Sequence, residues 1–278
     1  MPLAFSTNAF KKNTLHQAIQ FIADIGYDGV ELMADLHHAY PPNFDAQARA
    51  ETRALLAKHG MTVTNVNAFT HFIDGDTYHP TWLENDPSLV QKRIDHTNAC
   101  LKMARDFECR TVSIQPGGPM IGFAKSYEHA AEEFAAALSQ CVATARETGV
   151  TIAVEPEPGL LIQTADEFLR FKNAFFKHDD CVQMNCDIGH LFCVGDDPAE
   201  VIRKLPQHVA HVHLEDIGAN RVHQHLTPGK GVIDFGEIFA ALHDIGYAGN
   251  VTVELYPYET TAAGVAKLAW EHLNRREG

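Results

Sequence analysis

Four short apolar runs in the second half of the chain each deliver a group that can hold a metal or move a proton. Val150–Glu155 ends on a carboxylate and Val182–Asp187 on another; Val209–Leu214 carries His213 next to its end, and Val251–Leu255 carries Glu254 in the same place. Three carboxylates brought together repel and raise one another's pKa unless a cation sits between them. A divalent metal is the simplest resolution, one ion per chain. Three oxygens and one imidazole nitrogen suit Mn²⁺ best, with Mg²⁺ or Co²⁺ next; a set without Cys speaks against structural zinc, and Zn²⁺ stays an alternative. Ion pairing with Lys or Arg is the competing explanation, and few cations lie near these four positions.

Each of these groups has polar company. Glu157 follows Glu155 in Val-Glu-Pro-Glu-Pro, and His190 follows Asp187 in Asp-Ile-Gly-His, in what reads as a turn above the strand. His211 points to the same side of its strand as His213 and reads as a core or supporting histidine; Glu215 and Asp216 come next. The following loop holds Arg221, His223, His225, Gly229, Lys230 and Gly231. Its glycines let backbone approach a ligand, and its Arg and His can hold hydroxyl, carboxylate or phosphate groups. His16, His37, His38, His71 and His79 form no readable pattern, although His71 stands just past a strand where it can face the same pocket.

What must position these residues is a regular alternation of short β-type runs and longer helical patterns. The runs are Leu3–Asn8, Gly29–Met33, Met61–Asn67, Thr111–Gln115 and the four named above. Helical patterns lie between them: Thr14 to Gly26, Asp45 to His59, Pro87 to Phe107, Ser126 to Thr148, Thr164–Phe175, Pro198–Leu205, Asp234–Ile245 and Thr261–Asn274. Parallel strands with helical crossovers are the natural topology for such a string. Eight of each predict an α/β protein, a single closed (β/α)₈ TIM barrel over residues 1–278, with no linker to divide it. In a TIM barrel the active site lies at the C-terminal mouth of the strands. The groups at that level are Asn8, Glu31, Asn67, Gln115, Glu155, Asp187, His213 and Glu254, every one polar.

The 278 residues are 45% apolar and 21% charged, which excludes wholesale disorder, collagen and coiled coil. The formal net charge of −14 argues against a nucleic-acid partner, since phosphate binding draws on basic surface. No window approaches the roughly 18 apolar residues of a membrane span, and the first residues lack the pattern of a signal peptide. The six Cys include no Cys-x-x-Cys and read as reduced thiols. A cytoplasmic protein with no membrane partner is expected, with a homo-oligomer as an open expectation.

In the order Gly26-Tyr-Asp-Gly-Val-Glu-Leu32, Glu155-Pro156, Asp187-Ile-Gly-His190, His211-Val-His213, His225 to Gly231 and Val253-Glu254, the chain resembles the xylose-isomerase-like TIM barrels. This sugar isomerase/epimerase group also contains endonuclease IV. Within it the likeness is to ketose 3-epimerases and hydroxypyruvate-isomerase-like proteins. The resemblance implies a metal held by Glu155, Asp187, His213 and Glu254, with Glu155 and Glu254 as acid/base groups and substrate contacts from His190 and Arg221. Asn67, Glu157 and His225 complete the expected substrate contacts. Asn67 and Gln115 stand where the endonuclease IV branch needs extra metal ligands, so a three-zinc phosphodiesterase is disfavoured.

The expected activity is a divalent-metal-dependent sugar or sugar-phosphate isomerase/epimerase acting on a small polyol or ketose. The metal would draw charge from a carbonyl and a neighbouring hydroxyl and stabilise a cis-enediolate between two glutamates. The alternative is a metal-dependent dehydratase of a polyhydroxy ketone such as inosose or dehydroshikimate, in which the same enolate expels a β-hydroxyl.

Overall fold

The computed structural model describes residues 1–120 and 125–274. Eight parallel strands, β1 (Leu3–Ser6), β2 (Gly29–Met33), β3 (Thr62–Asn67), β4 (Thr111–Ile114), β5 (Thr151–Val154), β6 (Val182–Asp187), β7 (Val209–Leu214) and β8 (Val251–Val253), close into a barrel in chain order. β1 completes the ring against β8, with Phe5 opposite Val253. The helices are α1 (Leu15–Ile25), α2 (Ala46–His59), α3 (Pro87–Asp106), α4 (Tyr127–Thr148), α5 (Ala165–Phe175), α6 (Ile188–Val194), α7 (Pro198–Lys204), α8 (Phe235–Asp244) and α9 (Ala262–Asn274). None of the helices described is long and apolar enough to cross a membrane.

Local chemistry sets these boundaries. Thr14 and Thr164 start α1 and α5 with capping boxes closed by Gln17 and Glu167. Gly26, Gly60 and Gly149 end α1, α2 and α4 in the left-handed conformation that only glycine adopts without strain. Strands with helices outside and side chains inside are buried on both faces, as β1 and β2 are throughout.

Three details differ from the sequence reading, and all three shape the barrel mouth. β1 stops at Ser6, so Asn8 sits in a 3₁₀ turn, Thr7–Phe10, rather than on a strand. The residue pair Asp187–His190 does not open a loose turn: Asp187 caps α6, its carboxylate accepting from the His190 N–H at 2.8 Å. Seven residues are too few to show a helical period in sequence. β5 and β8 end one residue before their glutamates, yet the ladder continues through the backbone. Glu155 N–H donates to Ile114 O and Glu254 N–H to Leu214 O, both at 3.1 Å. The two carboxylates are therefore anchored at the rim although they lie outside the regular strands.

Candidate active site

β5 to β8 place Glu155, Asp187, His213 and Glu254 on one arc of the mouth. Their ligand atoms all lie within 4.8 Å of one another, and all four residues are buried. The pairing of β6 with β7 shifts register between Met184 and Asn185, which sets Asp187 directly beside His213. His213 Nδ1 is 3.1 Å from Glu155 Oε1, and 3.8 Å from both Asp187 Oδ2 and Glu254 Oε1. Glu155 Oε2 is buried without a hydrogen-bond partner. A hard-oxygen and imidazole set converging on one point, with a carboxylate oxygen left unserved, has the donor chemistry to take up a divalent cation.

The far side of the His213 ring meets a group that sequence reasoning placed only among the polar strand ends. Glu31, fully buried on β2, comes within 2.5 Å of His213 Nε2. It also accepts from Ser6 Oγ at 2.7 Å, Asn65 Nδ2 at 2.8 Å and Asn67 Nδ2 at 3.1 Å. Burial alone would raise its carboxyl, but the charge of His213 and hydrogen bonds from His211 and His213 hold it well below the ordinary range. A carboxylate behind an imidazole fixes the ring's orientation and makes its other nitrogen a better ligand. The only sequence signal was a lone glutamate in the apolar run Gly29–Met33; its partner lies 182 residues away.

Without a cation the carboxylates cannot all stay charged. Burial pushes Glu155 up, and the charges of Asp187 and Glu31 add to it against the pull of His213. Glu254 rises well above the ordinary range from burial and from Glu155, Glu31 and Asp187. Glu254 is steadied by Asn8 Nδ2 at 2.8 Å and Asn67 Nδ2 at 3.1 Å. Asn67, expected at the substrate, thus spends its amide bridging Glu31 and Glu254, while its residue still lines the cavity.

The other expected contacts separate into two groups. Glu157 and His190 line the cavity together with Glu155 and Glu254. His190 Nδ1 lies 3.1 Å from Pro156 O, and its Nε2 is buried with no partner. Burial and neighbouring His223 and His225 hold His190 neutral, down to about 3, against the pull of Asp187. Burial, then the charge of Glu155, pushes Glu157 well above the ordinary range; Tyr78 donates its hydroxyl to it at 2.9 Å. His225 sits one layer back, its Nδ1 3.0 Å from Glu254 O and its Nε2 3.1 Å from His223 Nε2. His223, not singled out as a contact, lines the cavity instead.

Arg221 lies apart from these groups. It is exposed, does not line the cavity, and its guanidinium donates to Phe192 O at 2.9 Å while lying 4.4 Å over the Phe192 ring. A positive φ of 55° at Arg221 turns the side chain that way. The glycines of the same loop also have a different partner from the one expected. Asp216 Oδ2 accepts from Gly229 N–H at 2.9 Å and Gly231 N–H at 2.7 Å, and Oδ1 from Ile233 N–H at 3.1 Å. The backbone does approach an anion closely, but the anion is the chain's own carboxylate. A Cβ at Gly231 would stand 2.2 Å from Ile217 O, so the wrap needs glycine there.

The outer wall is built by the segment after β3, which contributes Phe69, Thr70, Phe72, Thr77 and Tyr78 to the lining. Two fully buried charges hold its backbone. Arg93 on α3 donates to Ala68 O at 3.0 Å, Phe69 O at 2.9 Å and Pro80 O at 3.0 Å. Asp35 Oδ2 accepts from Thr70 Oγ1 at 2.7 Å and Phe72 N–H at 2.8 Å. His71 packs away from the lining, its ring 4.6 Å from that of His96.

The xylose isomerase-like TIM barrel family model matches residues 19–275. An inosose dehydratase of Clostridium perfringens is 27% identical over 263 residues, covering 88% of this chain and 83% of that protein. The L-ribulose-5-phosphate 3-epimerase UlaE of Salmonella typhi is 24% identical over 257 residues, covering 90% and 86%. The crystal structure of the IOLI protein with a zinc atom superposes with a TM-score of 0.77 at 17% identity, over 100% of this chain and 96% of that one. With the closed eight-stranded barrel, the family match shows that this chain belongs to the xylose isomerase-like TIM barrels.

Proposed function

We propose that the protein is a divalent-metal-dependent sugar isomerase/epimerase, with the metal held by Glu155, Asp187, His213 and Glu254. The observation that carries this reading is the convergence of those four groups within 4.8 Å of one another, two of them, Glu155 and Glu254, lining the cavity. A divalent ion there, Mn²⁺ first among the candidates, supplies electrophilic pull on a carbonyl and the hydroxyl beside it. Glu155 and Glu254 both line the cavity, from strands on either side of Asp187 and His213. One carboxylate removes the proton from the carbon between the two oxygens. The other returns a proton to the opposite face of the same carbon, giving an epimer; where the proton is taken instead from a terminal C1, return to the former carbonyl carbon gives an aldose. His190 Nε2, neutral and unpartnered, is placed to take a substrate hydroxyl; Glu157 with Tyr78 offers another contact, and Asn67 and His225 position Glu254. All six cysteines are free, which fits a reducing compartment such as the cytoplasm.

A second reading, dehydration, is favoured by one feature. Burial, then the charge of Glu155, raises the carboxyl of Glu157, which favours its acid form, and a carboxylic acid facing the cavity can give its proton to a departing β-hydroxyl. The inosose dehydratase likeness points the same way. Product analysis separates the two. Incubation of the Mn²⁺-loaded protein with free ketoses and with inosose should yield epimers or aldoses by chromatography. An ultraviolet-absorbing enone in their place selects dehydration, and unchanged substrate throughout the panel counts against both.

The Glu31 contact has its own expected result. Glu31→Gln keeps the shape but removes the charge behind His213, and metal affinity should fall about 10- to 100-fold. Titration against a competing chelator checks it. Affinity within twofold of the wild type would show that Glu31 only packs.

A further inference from the structure

Resting on the site assigned above, we infer that the substrate is an uncharged polyhydroxy ketone and not a phosphate ester. Three carboxylates, Glu155, Glu157 and Glu254, line the cavity, and Lys11 is the one Lys or Arg among its described lining residues. Lys11 is already committed: its Nζ is 2.7 Å from Glu259 Oε1 and 5.6 Å from the centre of the Phe72 ring. A phosphate ester brings about −1.5 to −2 charge at neutral pH. Glu155 and Glu254 are taken up by the proposed metal, and a phosphate would find no free Lys or Arg among the described lining residues to pair with.

The anion sites that the loop after β7 and the start of α8 could offer are filled from within. TIM barrels that bind phosphate commonly use the loops after the seventh and eighth strands and a nearby helix start. Here the loop after β7 turns the N–H groups of Gly229, Gly231 and Ile233 onto Asp216. The start of α8 is closed by Asp234, which accepts from Gly236 N–H at 3.0 Å and Glu237 N–H at 3.3 Å. Arg221, from the same loop, is turned onto Phe192. The lining also includes the apolar and aromatic side chains of Met33, Phe69, Phe72 and Tyr256. Such side chains suit the C–H face of a sugar or of a cyclic polyol ketone and offer a phosphate no charge-assisted bond.

The test is isothermal titration of the Mn²⁺-loaded full chain with matched pairs: L-ribulose and L-ribulose 5-phosphate, D-fructose and D-fructose 6-phosphate, with inosose as the ring ketone. At least one free ketose or inosose should bind, and each free ketose that binds should do so at least tenfold tighter than its ester. Glu259→Gln, which releases Lys11, should tighten the esters at least fivefold and leave the ketoses within twofold. An ester that binds as tightly as its ketose overturns the inference. So does a panel in which nothing binds, or a Glu259→Gln variant whose ester affinity is unchanged. Deuterium uptake from D₂O, followed by mass spectrometry on the same samples, scores the reaction separately. Preferred binding of ketoses without uptake contradicts the proposed chemistry and leaves the substrate class standing. Uptake into esters alone does the reverse.

Discussion

Glu155→Gln and Glu254→Gln should each lower turnover at least about a hundredfold, the usual scale of general acid–base catalysis. Each amide keeps the side chain's shape and an oxygen to offer a metal, but it neither takes nor gives a proton at the substrate carbon. The two losses should differ in kind. Starting from one epimer, the variant that retains the abstracting carboxylate still exchanges the substrate C–H with D₂O without inverting it, and the other variant exchanges nothing. From the opposite epimer the roles exchange. Asn8 and Asn67 already hold Glu254 Oε1, at 2.8 Å and 3.1 Å, so the amide of Glu254→Gln has its oxygen oriented for it. Metal content is measured first, because a variant that has lost the ion says nothing about the proton. Near-normal turnover in both variants with metal bound would contradict the two-carboxylate mechanism.

Stripping the metal should abolish turnover and lower the melting temperature, and the size of the drop should depend on pH. An ion at a hundred times its Kd stabilises the folded state by about 2.7 kcal/mol. For a chain of this size that corresponds to roughly 5–10 °C. The sign of the pH effect follows from the directions at the site. Glu155 and Glu254 lie above their ordinary value of 4.5, and His213 lies well above 6.5, where the charges of Glu31, Glu155 and Glu254 outweigh the burial that would lower it. Folded, stripped protein therefore holds protons that the unfolded chain has released. Its stability is fully present below those ordinary values and is lost as pH rises through the raised ones. Metal replaces those protons, so the loaded protein is spared this loss. The difference in melting temperature between loaded and stripped protein should widen from pH 5 to pH 8. Calorimetry of the two forms checks it, and a difference that is constant or shrinks with pH would contradict the assignment.

Much of the barrel was legible because its physics is local. A strand covered on both sides must be a short apolar run, and where the run breaks on Asp187 or Glu254 the break marks the mouth. The helical patterns read from Thr14 and Thr164 open within a residue of α1 and α5, where those two side chains cap the helices. The convergence of four side chains followed from strand order alone. Illegible were the groups whose partners are distant in the chain. Glu31 acquires its role only from His213; Arg93 and Asp35 look like surface charges until the segment after β3 folds over them. Asp216 and the glycines beyond it could be read separately, but not as donor and acceptor of one another. For Arg221 the sequence records a guanidinium and its loop, not the φ of 55° or the contact with Phe192.

The central claim is that this site takes a proton from the carbon beside a carbonyl, with a metal and two glutamates acting together. The most direct measurement is deuterium incorporation into a turned-over ketose in D₂O, read by mass spectrometry for three samples: protein loaded with Mn²⁺, the same protein stripped, and the loaded Glu155→Gln/Glu254→Gln double variant. One deuterium is expected at the reacting carbon in the loaded wild type and none above background in the other two. Equal incorporation by the loaded and stripped wild type, or undiminished incorporation by the loaded double variant, would contradict it.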